Sequence, residues 1–130
     1  MSDLCAYTNV TAGIVSALEG IVGKEHVTTS KPILMSYVAR GIMGLESTAP
    51  EVVVRPKEVE EIRGILVLAN EGRIPVTPMS GGLSGGFACP LIEPGGILLD
   101  LSRMNRIIEV DTDCRYMIVE PGVTSGAIWT

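Results

Sequence analysis

Apolar and polar positions alternate along this chain with two different periods, and the switch between them marks out its elements. From Thr11 to Val22 the apolar residues Ile14, Leu18, Ile21 and Val22 recur at helical spacing, and Gly23 is a natural stop. Pro32 to Ala39 reads as a second, shorter helix. Glu51 to Arg55 encloses Val52-Val53-Val54, a β-branched run of the kind that forms a strand buried on both faces. Pro56 opens the clearest helix, residues 57–71. Glu58, Glu60 and Glu61 occupy its first turn, where the helix dipole favours negative charge. They read as a solvated helix end rather than an acid–base pair. Val59, Ile62, Leu66 and Ala69 form its apolar stripe, and Asn70 and Gly72 end it.

Ile74 to Thr77 reads as the next buried strand and Ile97 to Leu101 as a third. Ile107 to Val110 and Tyr116 to Val119 read as two more, joined by the turn Asp111-Thr112-Asp113. Glu120-Pro121-Gly122-Val123 breaks the strand pattern, and a helix starts at Thr124. The short run of that helix suggests a fragment of a longer parent, or a partner chain that completes the packing.

Between the second and third strands lies the most distinctive segment. Four of the seven residues from Ser80 to Gly86 (Ser80-Gly81-Gly82-Leu83-Ser84-Gly85-Gly86) are glycine. Such a loop can turn several backbone N–H groups inward with no side chain in the way, which suits an anion and above all a phosphate. It lacks the Lys-Ser or Lys-Thr of a Walker loop and the glycine spacing of a dinucleotide fold. A connection needed only for tight turning stands beside the phosphate reading.

Composition narrows the partners. The 130 residues carry a net charge of −5, with no basic stretch, which argues against nucleic acid. With one Trp and one Phe, the core must be aliphatic, and Met35, Met43 and Met104 read as gap-fillers in it. Cys5, Cys89 and Cys114 are odd in number and widely spaced, and His26 is the only histidine, so no metal-ligand pattern arises. With no basic-then-apolar leader and no apolar run of membrane-spanning length, a reduced, cytoplasmic setting is expected.

The order of motifs is more specific than any one of them. Val-Val-Arg-Pro, a helix, Ile-Pro-Val-x-Pro, the glycine loop, Ile-Leu-Leu-Asp-Leu-Ser-Arg-Met-Asn-Arg-Ile and Val-Glu-Pro-Gly-Val-Thr follow one another. This series resembles the FAD-binding domain of the vanillyl-alcohol oxidase and para-cresol methylhydroxylase superfamily, which includes glycolate oxidase flavin subunits and D-lactate dehydrogenases. The resemblance covers about residues 50–128, and is most specific over Leu99 to Ile107 and Val119 to Thr124.

It implies an α+β fold: a small parallel sheet flanked by helices as a first lobe (1–104), and the start of an incomplete antiparallel second lobe (105–130). It implies that the loop, Pro78, Ser80, Gly81, Gly82, Leu83, Ser84, Gly85 and Gly86, wraps the pyrophosphate of non-covalently bound FAD. It implies that Pro121 and Gly122 lie along the cofactor, against the simpler reading of a plain turn. Two departures stand out: Met79 sits where an Arg is common, and the loop is shorter than usual. No catalytic residue carries over, because the substrate domain of the family lies beyond the matching region. Arg103 and Arg106 suit a phosphate, a partner carboxylate or the surface. The implied function is the FAD-binding part of an oxidoreductase acting on a hydroxy acid or alcohol, inactive alone. The alternative is a degenerate module that assembles as a homodimer or with a second chain through the strand Tyr116 to Val119.

Overall fold

A computed structural model describes residues 6–38, 48–81 and 94–129. The β-branched run Val52–Val54 (β2) and the aliphatic run Ile97–Asp100 (β4) form the centre of a sheet and are buried along their whole lengths. Parallel pairing places Val52, Val53 and Val54 opposite Ile97, Leu98 and Leu99. Strand alternation then divides them between two layers. Val52, Val54, Ile97 and Leu99 face helices α1 (Ala12–Val22) and α3 (Val59–Glu71), where Leu18, Val22, Ile65 and Ala69 meet them. Val53 and Leu98 face the other way, toward Leu34 of the short helix α2 (Lys31–Ser36), with Tyr37 and Met79 beside it. Strands covered on both faces need few polar positions, which is why both are apolar apart from Asp100 at the end of β4.

Among the described residues the sheet has four strands, in the order β1-β2-β4-β3. Strand β3 (Val76–Met79) runs parallel to β4 on one edge, and the two-residue β1 (Val27–Thr28) runs antiparallel to β2 on the other. The expected parallel sheet is therefore present, with an antiparallel edge added. Two residues are too few to show a period, so β1 left no trace in the sequence pattern.

Several boundaries move. Helix α3 begins at Val59, not residue 57, because Glu58 caps it. The Glu61 carboxylate reaches back to accept from the N–H groups of Lys57 and Glu58, at 2.6 and 3.3 Å. Helix α2 starts at Lys31 and stops at Ser36, and Ala39 lies outside the described residues. Met35 is a correction: it is 60% exposed, because its neighbour Leu34 takes the core-facing position on α2. Met104 is buried as expected, and Met43 lies outside the described residues.

After β4 the chain makes a turn through Ser102 and Arg103 and enters an antiparallel hairpin, β5 (Ile107–Asp111) and β6 (Tyr116–Val119). Ile107 pairs with Val119 but Glu109 pairs with Ile118, so Ile108 is an extra residue that bulges the strand. The bulge breaks the two-residue alternation. Ile107, Ile108, Val110, Tyr116, Met117 and Ile118 all stay exposed. The hairpin makes its own two-stranded sheet, separate from the first. A single turn of helix, α4 (Ser125–Ile128), follows, capped by the Thr124 hydroxyl accepting from the Ala127 N–H at 3.3 Å. Among the described residues, no helix is long and apolar enough to cross a membrane.

Candidate functional site

The parallel strands β2, β4 and β3 release their chains at one edge of the sheet, the usual place for a ligand in an open α/β layer. Of the expected binding residues, Pro78 belongs to the strand rather than the loop, opposite Leu99. The site tolerates it because β3 is an edge strand. The carbonyls of Pro75 and Met79 accept from the N–H groups of Ile97 and Leu101, at 2.9 and 2.8 Å. Alternation turns Pro78 the other way, toward the open edge, where its missing donor costs no ladder bond. Ser80 and Gly81 continue from the strand end. Gly82, Leu83, Ser84, Gly85 and Gly86 lie outside the described residues, as do Cys5 and Cys89.

The fold brings the start of this loop against the segment after β6. A Cβ placed on Gly81 would lie 3.6 Å from the Thr124 methyl, ordinary van der Waals contact. Two segments more than forty residues apart thus form neighbouring walls. Among the described residues, no acceptor takes the Gly81 N–H.

Pro121 and Gly122 form the turn in the second wall. Gly122 is held in place by packing. Its N–H donates to the Met104 carbonyl at 2.7 Å, and a Cβ there would overlap the backbone of Leu101 and Met104. Only glycine can approach that turn so closely. Its amide is spent on Met104, so any contact of Gly122 with a ligand runs through its remaining backbone surface.

Two side-chain pairs brace these walls. Asp100, buried at the end of β4, accepts from the Tyr37 hydroxyl at 2.8 Å and from the Ser102 N–H at 2.9 Å. Burial, and then the Asp100 carboxylate, push the Tyr37 phenol up to about 12. Arg106 meets Glu120, which is 7% exposed. Its Nε and guanidinium nitrogen donate to Oε1 at 2.9 and 2.6 Å, and its backbone N–H donates to Oε2 at 2.8 Å. These bonds hold the Glu120 carboxyl below its ordinary range and raise the Arg106 guanidinium. Arg106 is therefore committed to a carboxylate of its own chain, and Arg103 donates to the Arg55 carbonyl at 2.7 Å. The sequence announced neither pairing. An Asp inside an apolar strand with Ser two residues later was the one available sign of the Asp100 turn.

The chemistry that remains at the described walls is backbone chemistry: glycine, serine, threonine and proline, with the nearby cation neutralised. That donor set fits a diphosphate held by amide dipoles. It contains no acid–base pair, and among the described residues no group of three or more His, Cys, Asp and Glu residues is placed to hold a metal ion.

Comparison with known proteins agrees. The chain is 33% identical over 119 residues to the flavoprotein subunit of 4-cresol dehydrogenase (hydroxylating) from Pseudomonas putida, spanning 88% of this chain and 22% of that one. It is 38% identical over 116 residues to glycolate oxidase subunit GlcD of Bacillus subtilis, spanning 88% of this chain and 24% of that one. The crystal structure of p-cresol methylhydroxylase with substrate bound superposes with a TM-score of 0.79 at 29% identity, over 95% of this chain and 25% of that chain. The chain thus spans about a quarter or less of the length of these relatives. The family described as FAD binding domain matches residues 50–130, which take in the central strands, α3, the glycine loop and the Pro121–Gly122 turn. The chain belongs to that FAD-binding family, with a fold of the cresol methylhydroxylase type, and its cofactor is FAD.

Proposed function

We propose that the diphosphate of FAD lies between the loop Pro78–Gly86 and the turn Pro121–Gly122, held non-covalently by backbone dipoles, in a flavin-dependent oxidoreductase. The observation that carries this reading is the meeting of Gly81 with Thr124 at the strand-end edge. When bound, FAD accepts the hydride and supplies the redox chemistry. This chain contributes binding and placement. The substrate is a small hydroxy acid or an alcohol, by the likeness to the glycolate oxidase and cresol dehydrogenase subunits. Turnover by the 130 residues alone is not expected. The odd, scattered cysteines, with Cys114 free and exposed, favour a reduced cytoplasmic setting.

A second reading has its own support. The hairpin exposes apolar residues on both faces, Ile108 to 63%, and among the described residues its strands pair only with each other. Unpaired strand edges recruit strands. A second chain, or a second copy of this one, would cover them in an assembly module.

The deciding experiment is a visible spectrum of the purified protein with added FAD, taken after gel filtration with light scattering for mass. Flavin bands that travel with the protein support cofactor binding. A colourless dimer that ignores FAD supports the assembly reading and overturns the first.

A further inference from the structure

We infer that the Arg106–Glu120 pair is a lock that sets the gap between the two walls of the cofactor site, so that both are positioning residues rather than phosphate ligands. The inference rests on the reading that FAD lies between those walls.

The contacts around the pair form one closed circuit. The end of β3 is tied to the end of β4 by the Leu101 N–H donating to the Met79 carbonyl at 2.8 Å. The turn after β4 closes with the Met104 N–H on the Leu101 carbonyl at 2.9 Å. Residues 104–106 are then stitched to residues 120–122. Gly122 N–H donates to the Met104 carbonyl at 2.7 Å, and Glu120 N–H donates to the Arg106 carbonyl at 3.0 Å. The Glu120 side chain returns three bonds to Arg106. The Val123 N–H closes the turn on the Glu120 carbonyl at 3.1 Å, and Thr124 then meets Gly81. Gly81 follows Met79 by two residues, so the circuit is complete. Arg106 also reaches Glu58 Oε2 at 3.5 Å, which ties the same point to the N-cap of α3.

The Glu120 carboxylate is the one ionised side chain in this circuit with almost no access to water. A buried carboxylate without its partner is costly, so the closed arrangement is the one that keeps it paired. The fork of the arginine fixes direction as well as distance, which a lysine ammonium does not. Opening the pair frees the Pro121–Gly122 turn from Met104 and carries Thr124 away from Gly81. The central sheet, which owes its packing to α1, α2 and α3, stays intact.

The test uses the full 130-residue chain and the variants Glu120→Gln and Arg106→Lys. Amide hydrogen exchange is read at Gly122, with Val53 and Leu98 as internal standards, and FAD affinity is read by flavin fluorescence. We expect Gly122 exchange to quicken about tenfold in Glu120→Gln and less in Arg106→Lys, with Val53 and Leu98 unchanged. FAD affinity should fall about tenfold in Glu120→Gln, again with a smaller loss in Arg106→Lys. Unchanged Gly122 exchange in both variants overturns the lock. Faster exchange with wild-type FAD affinity overturns its positioning role. A wild-type chain that takes up no FAD while Gly122 exchange still responds refutes the cofactor reading and supports the lock.

Discussion

The Tyr37 hydroxyl donates to the Asp100 carboxylate across 63 positions of sequence, tying the residue that caps α2 to the end of the central strand β4. The phenol is pushed up to about 12 in the folded protein, against about 10 when unfolded. Below pH 10 both states keep the proton and the full contribution is present. Between pH 10 and about 12 the unfolded chain loses its proton first, so stability falls as pH rises. Tyr37→Phe should lower stability at neutral pH by about 1–3 kcal/mol, because Asp100 loses a partner. It should also flatten the alkaline decline. Parallel wild-type and variant curves between pH 9 and 12 would reject the coupling.

Val53 is 1% exposed at the centre of the sheet, packed toward Leu34 and Leu98. Val53→Asp buries an unpaired charge at a cost of several kcal/mol, against a net stability of about 5–15 kcal/mol for a domain. The variant should be unfolded by circular dichroism and collect in the insoluble fraction. A native melting curve would show that β2 is not internal.

Gly81→Val separates binding from folding. The position has room for a Cβ, at 3.6 Å from the Thr124 methyl, so the fold should survive with little change in melting temperature. The added branches stand where backbone amides would approach the diphosphate. FAD affinity should drop at least about tenfold. An unaltered dissociation constant, measured by fluorescence, would remove Gly81 from the site.

Gly122→Ala does the reverse. Its Cβ overlaps the Leu101–Met104 turn, so the turn must give way. Overpacking of this kind costs about 1–3 kcal/mol. Limited proteolysis should cut near the hairpin faster, while the sheet amides keep their protection. Wild-type cleavage rates would mean the turn has slack that the backbone contacts deny.

Glu120 carries an acid response. Its carboxyl is held below the ordinary carboxylate range, mainly by the Arg106 side chain and backbone, with Lys57 adding a favourable charge and burial opposing. The contribution is therefore fully present above that range and is lost as pH falls through the lowered value. Glu58, the other carboxylate on Arg106, competes for the same guanidinium. Gly122 protection in the wild type should collapse in acid, and Glu120→Gln should show no such transition. Matching acid profiles would assign the transition to another group.

The elements most legible in the sequence were those whose neighbours lie on both sides. Val52–Val54 and Ile97–Leu101 read as strands because burial on both faces leaves them apolar but for Asp100, and the second ends one residue sooner, at Asp100. Tyr116–Val119 was also found at its observed bounds. The β1 strand was invisible, since Val27 and Thr28 form it only because β2 lies beside them. Met35 misled because apolar character on a six-residue helix does not tell which face is covered. At the site, the glycines announced themselves by density. The pairs that brace the strand end and the facing turn, Tyr37 with Asp100 and Arg106 with Glu120, did not. A hydrogen bond between residues brought together only by the fold leaves no local pattern. Even Gly122, singled out for a ligand, owes its lack of a side chain first to the Leu101–Met104 turn.

The strand order has a consequence for assembly of the domain. β2 and β3, though joined directly through α3, are not neighbours; β4 sits between them and is the last strand of this sheet to arrive. Until it arrives β2 and β3 have a slot between them and nothing to bond across it. The segment that delivers β4 is the glycine loop with the stretch behind it, so the order of events couples loop closure to nucleation of the sheet. A chain nicked between Met79 and Ile97 would need its central strand supplied from a second piece. Its refolding would then become bimolecular and slow with dilution, as for any long-range pairing whose tether has been cut.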